Sequence, residues 1–501
     1  MTTETLRESL LSFLPADAVS DAPHDLAQTR LSNPLLDPGV DPDLVLRPPD
    51  PEALRLLVGA ANRLGLNLTV SSSSGPHVRG GAVAGRENLR VDLSRWKGID
   101  WINRRNRVCM IQPGVTYGEL LAALEPQGMT VPMPLAPRSG KSVVAAVSDR
   151  EPSTWPNRQW DLSDPVASTE FVFGSGEVFR TGAAGGPGTL EEQRAAGGAQ
   201  KSPLGPSQTD FHRVVQGAQG TMGLITWITM RAELKPSIEK PWLLAADRLE
   251  KLIPFVYEVQ RPWLGEHSFL LDRTALAMLV SGCGRGAFDA IRKSLPPFAC
   301  LQNIAGFERL PKERVAYQQQ DIREIASRHD LALERGLGAV SARGLLDLAT
   351  RPCGERDWRH ALRGHCLSIF FLTTLDRVPA HGAAMSDLAR AHGIGEDETG
   401  CYVQPVVQNH ACHVEFLLPF DPGHPEDLDR LRRFERAAVE RLAAERAFFS
   451  RPYGSAPEVV FRQNPGNTEV LKKIKAIFDP NQVLNRGKWA LQPAGFHGLA
   501  P

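Results

Sequence analysis

The run QGAQGTMGLIT, residues 216–226, sets Gly217, Gly220 and Gly223 three residues apart, directly before the strand-like Leu224, Ile225 and Thr226. Glycine leading into a strand costs backbone entropy and adds no side chain to a core. A cluster of it marks a turn, a helix contact, or a place where a ligand touches main chain. Which of these applies depends on the surrounding chain.

At 501 residues the chain exceeds one ordinary hydrophobic core, so two or three domains are expected. Its 57 basic residues equal its 57 acidic ones. Without a basic excess there is no footprint for nucleic acid or an anionic membrane, and a small-molecule substrate is the expected partner. Seven cysteines, odd in number and without a C-x-x-C pair, suit a reduced, cytoplasmic protein and exclude a cysteine-ligated zinc ribbon or the usual iron–sulfur module. The start, MTTETLRESLLSFLPADAV, mixes charges with a short apolar patch, which reads as a docking helix and not as a signal peptide or membrane span.

From Val45 the order is extended, helical, extended. Asp50 is a cap, Pro51 stands at the first helical position, Leu54, Leu57, Val58, Ala61 and Leu64 form an apolar stripe, and Gly65 ends it before the strand 66–70. NLRVDLSRWKGID and RVCMIQPGV read as two further strands, followed by the helix YGELLAALEPQG. Residues 182–209, rich in Gly, Pro and Ala, read as an excursion from the core. After ELKP at 233–236 a separate α+β region begins, with strand-like PWLLAAD, SFLLD, CLSIFFLTTL, CYVQPVV and CHVEFLLPF. A long amphipathic helix and a helix–turn–tail follow.

SSSSGPHVRGG, residues 71–81, follows a predicted strand. Backbone N–H groups in such a loop can form a donor nest for a diphosphate, with Arg79 adding charge; a plain surface loop is the alternative. His77 within it is read as a turn residue in preference to a covalent flavin attachment point. RSGKS, residues 138–142, imitates the end of a nucleotide-binding P-loop, but Leu135 stands where that motif needs glycine. Neither GSGEVF nor GLGAVS completes a dinucleotide fingerprint.

KSPLGPSQTDFHRVVQGAQGTMGLITWITMRAELKP, taken whole, resembles the FAD-binding domain of the vanillyl-alcohol oxidase and para-cresol methylhydroxylase (PCMH) family. FDPNQVLNRGK, residues 478–488, resembles its C-terminal D-P-x-x-(I/V)-L-N-P-G-K motif. The resemblance spans nearly the whole chain. It implies an α+β fold: a two-subdomain PCMH-type FAD-binding domain over residues 1–235, a ferredoxin-like cap for substrate over 236–464, and a C-terminal segment, 465–501, returning to the FAD domain. It also implies an FAD-linked oxidase or dehydrogenase, with a possible electron-acceptor protein or homo-oligomer as partner. Ser71, Ser72, Ser73, Ser74, Gly75, Pro76 and His77 fall on the pyrophosphate loop. Pro137, Ser142 and Val143 fall where the family usually has T-(I/V)-G-G. Gly217, Gly220, Thr221, Gly223 and Ile225 fall beside the cofactor, and Asn485 and Lys488 at its C-terminal contact. Lys141, Ser142, Val143 and Val144 replace the family's T-(I/V)-G-G, so two backbone-approach glycines are missing.

The chemistry expected is hydride removal from a small organic substrate, with protein groups orienting it and managing one proton. Tyr402, Gln404 and Val406 share one face of a strand, and His413, Glu415 and Leu417 share a face of the next. That face is either a substrate wall or the wet side of an antiparallel sheet. Arg451 and Tyr453, in AFFSRPYG, are similar in type to the Tyr/Arg pair that holds phenolate in the phenol-oxidising branch; an arginine there could equally take a carboxylate or cap the preceding helix. Tyr453, Arg451, Tyr402 and His413 are therefore the candidate catalytic residues. The 2-hydroxy-acid branch's H-x-G-D-G-N-x-H metal motif is absent, with only His410 and His413 near its place, so no catalytic metal is expected and an aromatic or other alcohol is preferred to a 2-hydroxy acid. A flavin-binding protein without catalysis, and a nucleotide hydrolase acting through RSGKS, are the readings of other classes.

Overall fold

The computed structural model describes residues 3–28, 33–35, 42–75, 88–157, 165–196, 205, 210–407 and 410–490. Pro76 and His77 lie outside them, as does much of the Gly/Pro-rich excursion.

The strand–helix–strand start forms as the sequence predicts. Asp50 accepts the Ala53 amide at 2.8 Å, and Gly65 closes the helix Pro51–Leu64 in the left-handed conformation at φ 70°. A side chain there would be strained, so glycine stops the helix cleanly. Strands Leu44–Leu46 and Asn67–Ser71 both run parallel to Asn88–Asp92, which lies between them. The first helix, Thr3–Leu11, docks Leu6 and Leu10 into the core beneath this sheet. NLRVDLSRWKGID is two strands, not one. Asp92 accepts the Ser94 amide at 2.9 Å, a side-chain turn that ends Asn88–Asp92 and sends Ile99–Asn103 into a second sheet.

That second sheet has five antiparallel strands, ordered Ile99–Asn103, Val108–Ile111, Gly223–Arg231, Val166–Phe173, Val178–Arg180. The glycine run thus feeds its central strand. Gly217 and Gly220 are both left-handed at φ 72°, which folds the chain back on itself before Gly223 starts the strand.

The region after 236 is a six-stranded antiparallel sheet, ordered Ile238–Ala246, Phe298–Gly306, Ser268–Asp272, Gly400–Val406, Ala411–Phe420, His365–Thr373. Phe298–Gly306 is a strand the sequence reading passed over. Its adjacent polar Gln302 and Asn303 break the alternation, and both are buried, Gln302 donating to the Leu264 carbonyl at 3.2 Å. Separate apolar cores lie on the two faces: Leu244, Phe255, Phe371 and Phe434 on one, Leu243, Phe269, Leu345 and Trp358 on the other. There is no wet face at the polar strand pair. Tyr402 stands opposite Glu415 and Gln404 opposite His413, and all four are at most 2% exposed.

The chain then returns to its start. Leu68 donates to Val483 at 2.7 Å and Asn485 to the Leu68 carbonyl at 2.9 Å. Buried Asp479 holds the turn, accepting the amides of Val483 at 2.8 Å and Leu484 at 3.1 Å and pairing with Lys475 at 2.6 Å. A Cβ on Gly174 would stand 2.3 Å from this carboxylate, so only glycine permits the approach. Cys283 and Cys353 are joined in a disulfide, Cα atoms 5.6 Å apart, which corrects the expectation of uniformly reduced thiols. Cysteines 70 residues apart carry no local sign of pairing; the fold brings them together.

Candidate active site

A cavity of about 300 Å³ opens where these portions meet. Ser71, Ser72 and Ser73 line one end, beyond the parallel strand that delivers them; Gly220, Gly223 and Ile225 form a wall, with Asn485 and Lys488 beside them. The two distant motifs are locked together: Asn485 donates to the Gln219 carbonyl at 2.6 Å, and Lys475 to that of Thr221 at 2.7 Å. Arg138 reaches the serine loop, donating to the Ser73 hydroxyl at 3.2 Å and to the Ser74 carbonyl.

The cap side contributes Tyr453, Asp357 and Arg359. The Tyr453 hydroxyl donates to Asp149 at 3.0 Å, and Arg451 approaches the same carboxylate at 3.5 Å with its guanidinium 4.5 Å from the centre of the Phe370 ring. Lys488 lies 4.9 Å from the centre of the Tyr453 ring. Burial holds its ammonium down to about 8, Arg90 pushing the same way and Asp149 opposing. Arg359 grips Glu415 with two donors, at 2.8 and 3.2 Å, above the Trp358 ring. Burial works against its charge, but Glu415 and Asp357 outweigh that and keep it protonated.

Of the predicted residues, Ser71, Ser72, Ser73, Pro137, Gly220, Gly223, Ile225, Asn485, Lys488 and Tyr453 line this cavity. Ser74 and Gly75 continue the loop. Gly217 supports the wall from behind, its amide donating to the Ser148 carbonyl at 2.6 Å, and the Thr221 hydroxyl is turned to the Ala218 carbonyl at 2.7 Å. Ser142 and Val143 are also set behind the wall. Ser142 caps the helix Val143–Ser148 and donates to the Pro113 carbonyl, so Val144, Ala145 and Ser148 face the cavity instead. Lys141 pairs with Glu151 at 2.6 Å at the cavity wall, so of RSGKS Arg138 and Lys141 reach the cavity. Arg451 lies one layer back, against Asp149. Tyr402 and His413 do not reach the cavity: the Tyr402 hydroxyl donates to Gln404 at 2.9 Å, and His413 packs between the Tyr402 and Phe370 rings. Sequence reasoning missed Asp149, Arg138, Asp357 and Arg359. The tryptophan-flanked charges of DWR were a usable signal, whereas Asp149 had none.

Three cavity-lining atoms, Ser148 Oγ, Gln219 Oε1 and Asn485 Oδ1, are buried without a hydrogen-bond partner among the described residues. Buried polar atoms of this kind call for a ligand or water. Five basic side chains line the cavity, Arg90, Arg138, Lys141, Arg359 and Lys488, against three acidic ones, Asp149, Glu151 and Asp357. Of the basic groups, Arg138, beside the serine loop, is the one placed to meet a diphosphate.

Residues 42–182 match the FAD binding domain family. The whole fold superposes on 4-ethylphenol oxidase from Gulosibacter chungangensis with a TM-score of 0.82, at 16% identity over 99% of this chain and 98% of that one. It superposes on p-cresol methylhydroxylase with a TM-score of 0.78, at 15% identity over 96% and 95%. In sequence, the chain is 22% identical over 454 residues to D-2-hydroxyglutarate dehydrogenase from Stutzerimonas stutzeri (strain A1501), covering 89% of this chain and 90% of that protein. It is 26% identical over 195 residues to the mitochondrial D-lactate dehydrogenase [cytochrome] of Arabidopsis thaliana, 39% of this chain and 31% of that protein, so it spans about a third of that relative's length. Fold and cofactor domain together define an FAD-dependent oxidoreductase. The fold is that of the PCMH-type flavoproteins, residues 42–182 carry the FAD binding domain with FAD as cofactor, and the orphaned atoms and Arg138 of the cavity fit that group.

Among the described residues, no helix is long and apolar enough to cross a membrane.

Proposed function

We propose that this protein oxidises a small, uncharged alcohol, preferably an aromatic one. Ser71–Ser73, Gly220, Gly223, Ile225, Asn485 and Lys488 hold the cofactor, and Arg138 meets its diphosphate. Bound FAD supplies the hydride acceptor. Tyr453 orients the substrate hydroxyl from the cap side, Asp149 accepts the Tyr453 hydrogen bond and fixes its direction, and Lys488, desolvated to about 8, is placed to take up a proton near neutral pH. Arg451 pairs with Asp149 from behind.

The observation that carries this reading is the charge of the cavity. Arg359 is held by buried Glu415, Lys141 by Glu151 and Arg138 by the serine loop, so among the described residues the cap side of the cavity offers no uncommitted guanidinium to a substrate carboxylate. The likeness to 4-ethylphenol oxidase supports the same substrate class. A 2-hydroxy acid is the second reading, favoured by the nearly full-length relative D-2-hydroxyglutarate dehydrogenase.

Anaerobic mixing with para-substituted phenols and benzylic alcohols, and separately with D-lactate and D-2-hydroxyglutarate, distinguishes the two. Bleaching of the flavin absorbance by the aromatic series is expected. Bleaching by the hydroxy acids alone overturns the proposal.

A further inference from the structure

Cys283 stands directly after the helix Arg273–Gly282, and Cys353 opens a strap, residues 351–359, that crosses to the FAD-binding side. Three contacts tie the strap to the cavity's loop 134–139. The Cys353 amide donates to the Pro137 carbonyl at 2.8 Å, Ser139 donates to the Gly354 carbonyl at 2.7 Å, and the Trp358 indole reaches the Leu135 carbonyl at 3.4 Å. The strap then delivers Asp357 and Arg359 into the cavity, and Asp357 acts electrostatically on Arg138, the residue that grips the serine loop. At its other end it is packed without slack, since a Cβ on Gly282 would stand 2.5 Å from the Trp358 carbonyl. The disulfide anchors the near end of this strap. Cys283 is partly accessible, and its neighbours Gly284 and Arg285, like Gly354 and Glu355 beside Cys353, are exposed, so a dithiol can reach the bond.

We propose that the Cys283–Cys353 disulfide is a redox-sensitive anchor of the active site, whose reduction loosens the strap and weakens both cofactor retention and substrate binding. The step balances simply. A dithiol reductant gives two electrons and two protons to the bond, becoming a cyclic disulfide while Cys283 and Cys353 become thiols. Loss of the anchor frees the strap's near end, and a shift of about 1 Å in Arg359 or Arg138 suffices to change rate or affinity by a large factor. The other five cysteines are unpaired and, Cys401 apart, buried, so they do not compete for the reductant. The inference rests on the FAD site and not on the identity of the substrate.

The test uses the FAD-loaded full chain. Thiol titration after denaturation is expected to count five thiols before treatment with dithiothreitol and seven after it, matching five free cysteines of seven. FAD release, read by flavin fluorescence on dilution, is expected to show a dissociation constant roughly tenfold higher after reduction, restored on reoxidation. The C283S/C353S double variant is expected to resemble the reduced protein and to ignore the reductant. Seven thiols at the outset, an unchanged dissociation constant after reduction, or a double variant that responds to dithiothreitol as the parent does would each overturn the proposal. If the variant does not fold, reduction and reoxidation of the parent decide alone. Because the readout is FAD release, failure of the aromatic-alcohol reading leaves this result untouched.

Discussion

Asp149 joins the two sides of the cavity. It comes from the FAD-binding side, at the end of the short helix Val143–Ser148, yet it bonds to Tyr453 and Arg451 of the cap, more than 300 residues later. Replacing it by asparagine keeps the shape and one acceptor oxygen while removing the charge. Arg451, 3% exposed, then loses its carboxylate, and the Tyr453 hydroxyl loses its charged acceptor. D149N is expected to retain FAD, with an unaltered visible spectrum, while kcat falls by about a hundredfold. Since Asp149 raises the pKa of Lys488, the acid-side group in the rate profile, the base that must lose its proton, should also move below about 8. Rate-against-pH curves for parent and variant check both parts; identical curves would remove Asp149 and Lys488 from the chemistry.

At the scale of elements, the C-terminal turn decides whether the two cofactor motifs meet. Asp479 is fully buried and takes two backbone amides and Lys475, while Lys475 also donates to the Thr221 carbonyl inside the glycine run. Asp479→Asn leaves a buried ammonium without its counter-charge, which costs about 3–5 kcal/mol. The expected result is a lower urea midpoint together with weaker FAD retention, because Asn485 and Lys488 ride on the same turn. Loss of stability with FAD affinity intact would separate the turn from the site. This pairing was legible in the sequence, since GAQGTMGLIT and DPNQVLNRGK are local patterns, as was the helix between Asp50 and Gly65. Asp149, Arg138 and the DWR strap were not, because their roles come from contacts across the fold that leave no spacing to read. The alternation through Tyr402 and His413 correctly marked one face of a sheet, but whether a face is wet depends on what packs over it, here the strap and the FAD-binding side.

For the molecule as a whole, the seam between the FAD-binding side and the cap contains a histidine that must stay neutral. His267 bonds to the Thr154 hydroxyl at 2.9 Å and accepts the Trp155 indole N–H, while the next residue, Ser268, donates to the Thr154 carbonyl at 3.2 Å. Burial lowers its pKa from 6.5 to about 3. Burial also lowers that of His212, ahead of the glycine run, to about 4, and depresses His360, next to the strap. The linkage has one sign. Between 6.5 and these folded values the unfolded chain binds protons that the folded one refuses, so stability is full above pH 6.5 and falls as pH drops toward 4. At about 1.4 kcal/mol per pH unit for each such histidine, a drop to pH 5 removes on the order of 4 kcal/mol if His212 and His267 act independently. Urea midpoints measured at pH 7, 6 and 5 should therefore decline steadily. H267Q, which keeps an amide able to bond Thr154 and does not titrate, should decline less steeply than the parent even if its midpoint at pH 7 is lower. A midpoint that holds constant from pH 7 to 5 in the parent would mean that these imidazoles take up protons in the folded state, and the seam would not be the acid-sensitive joint of the molecule.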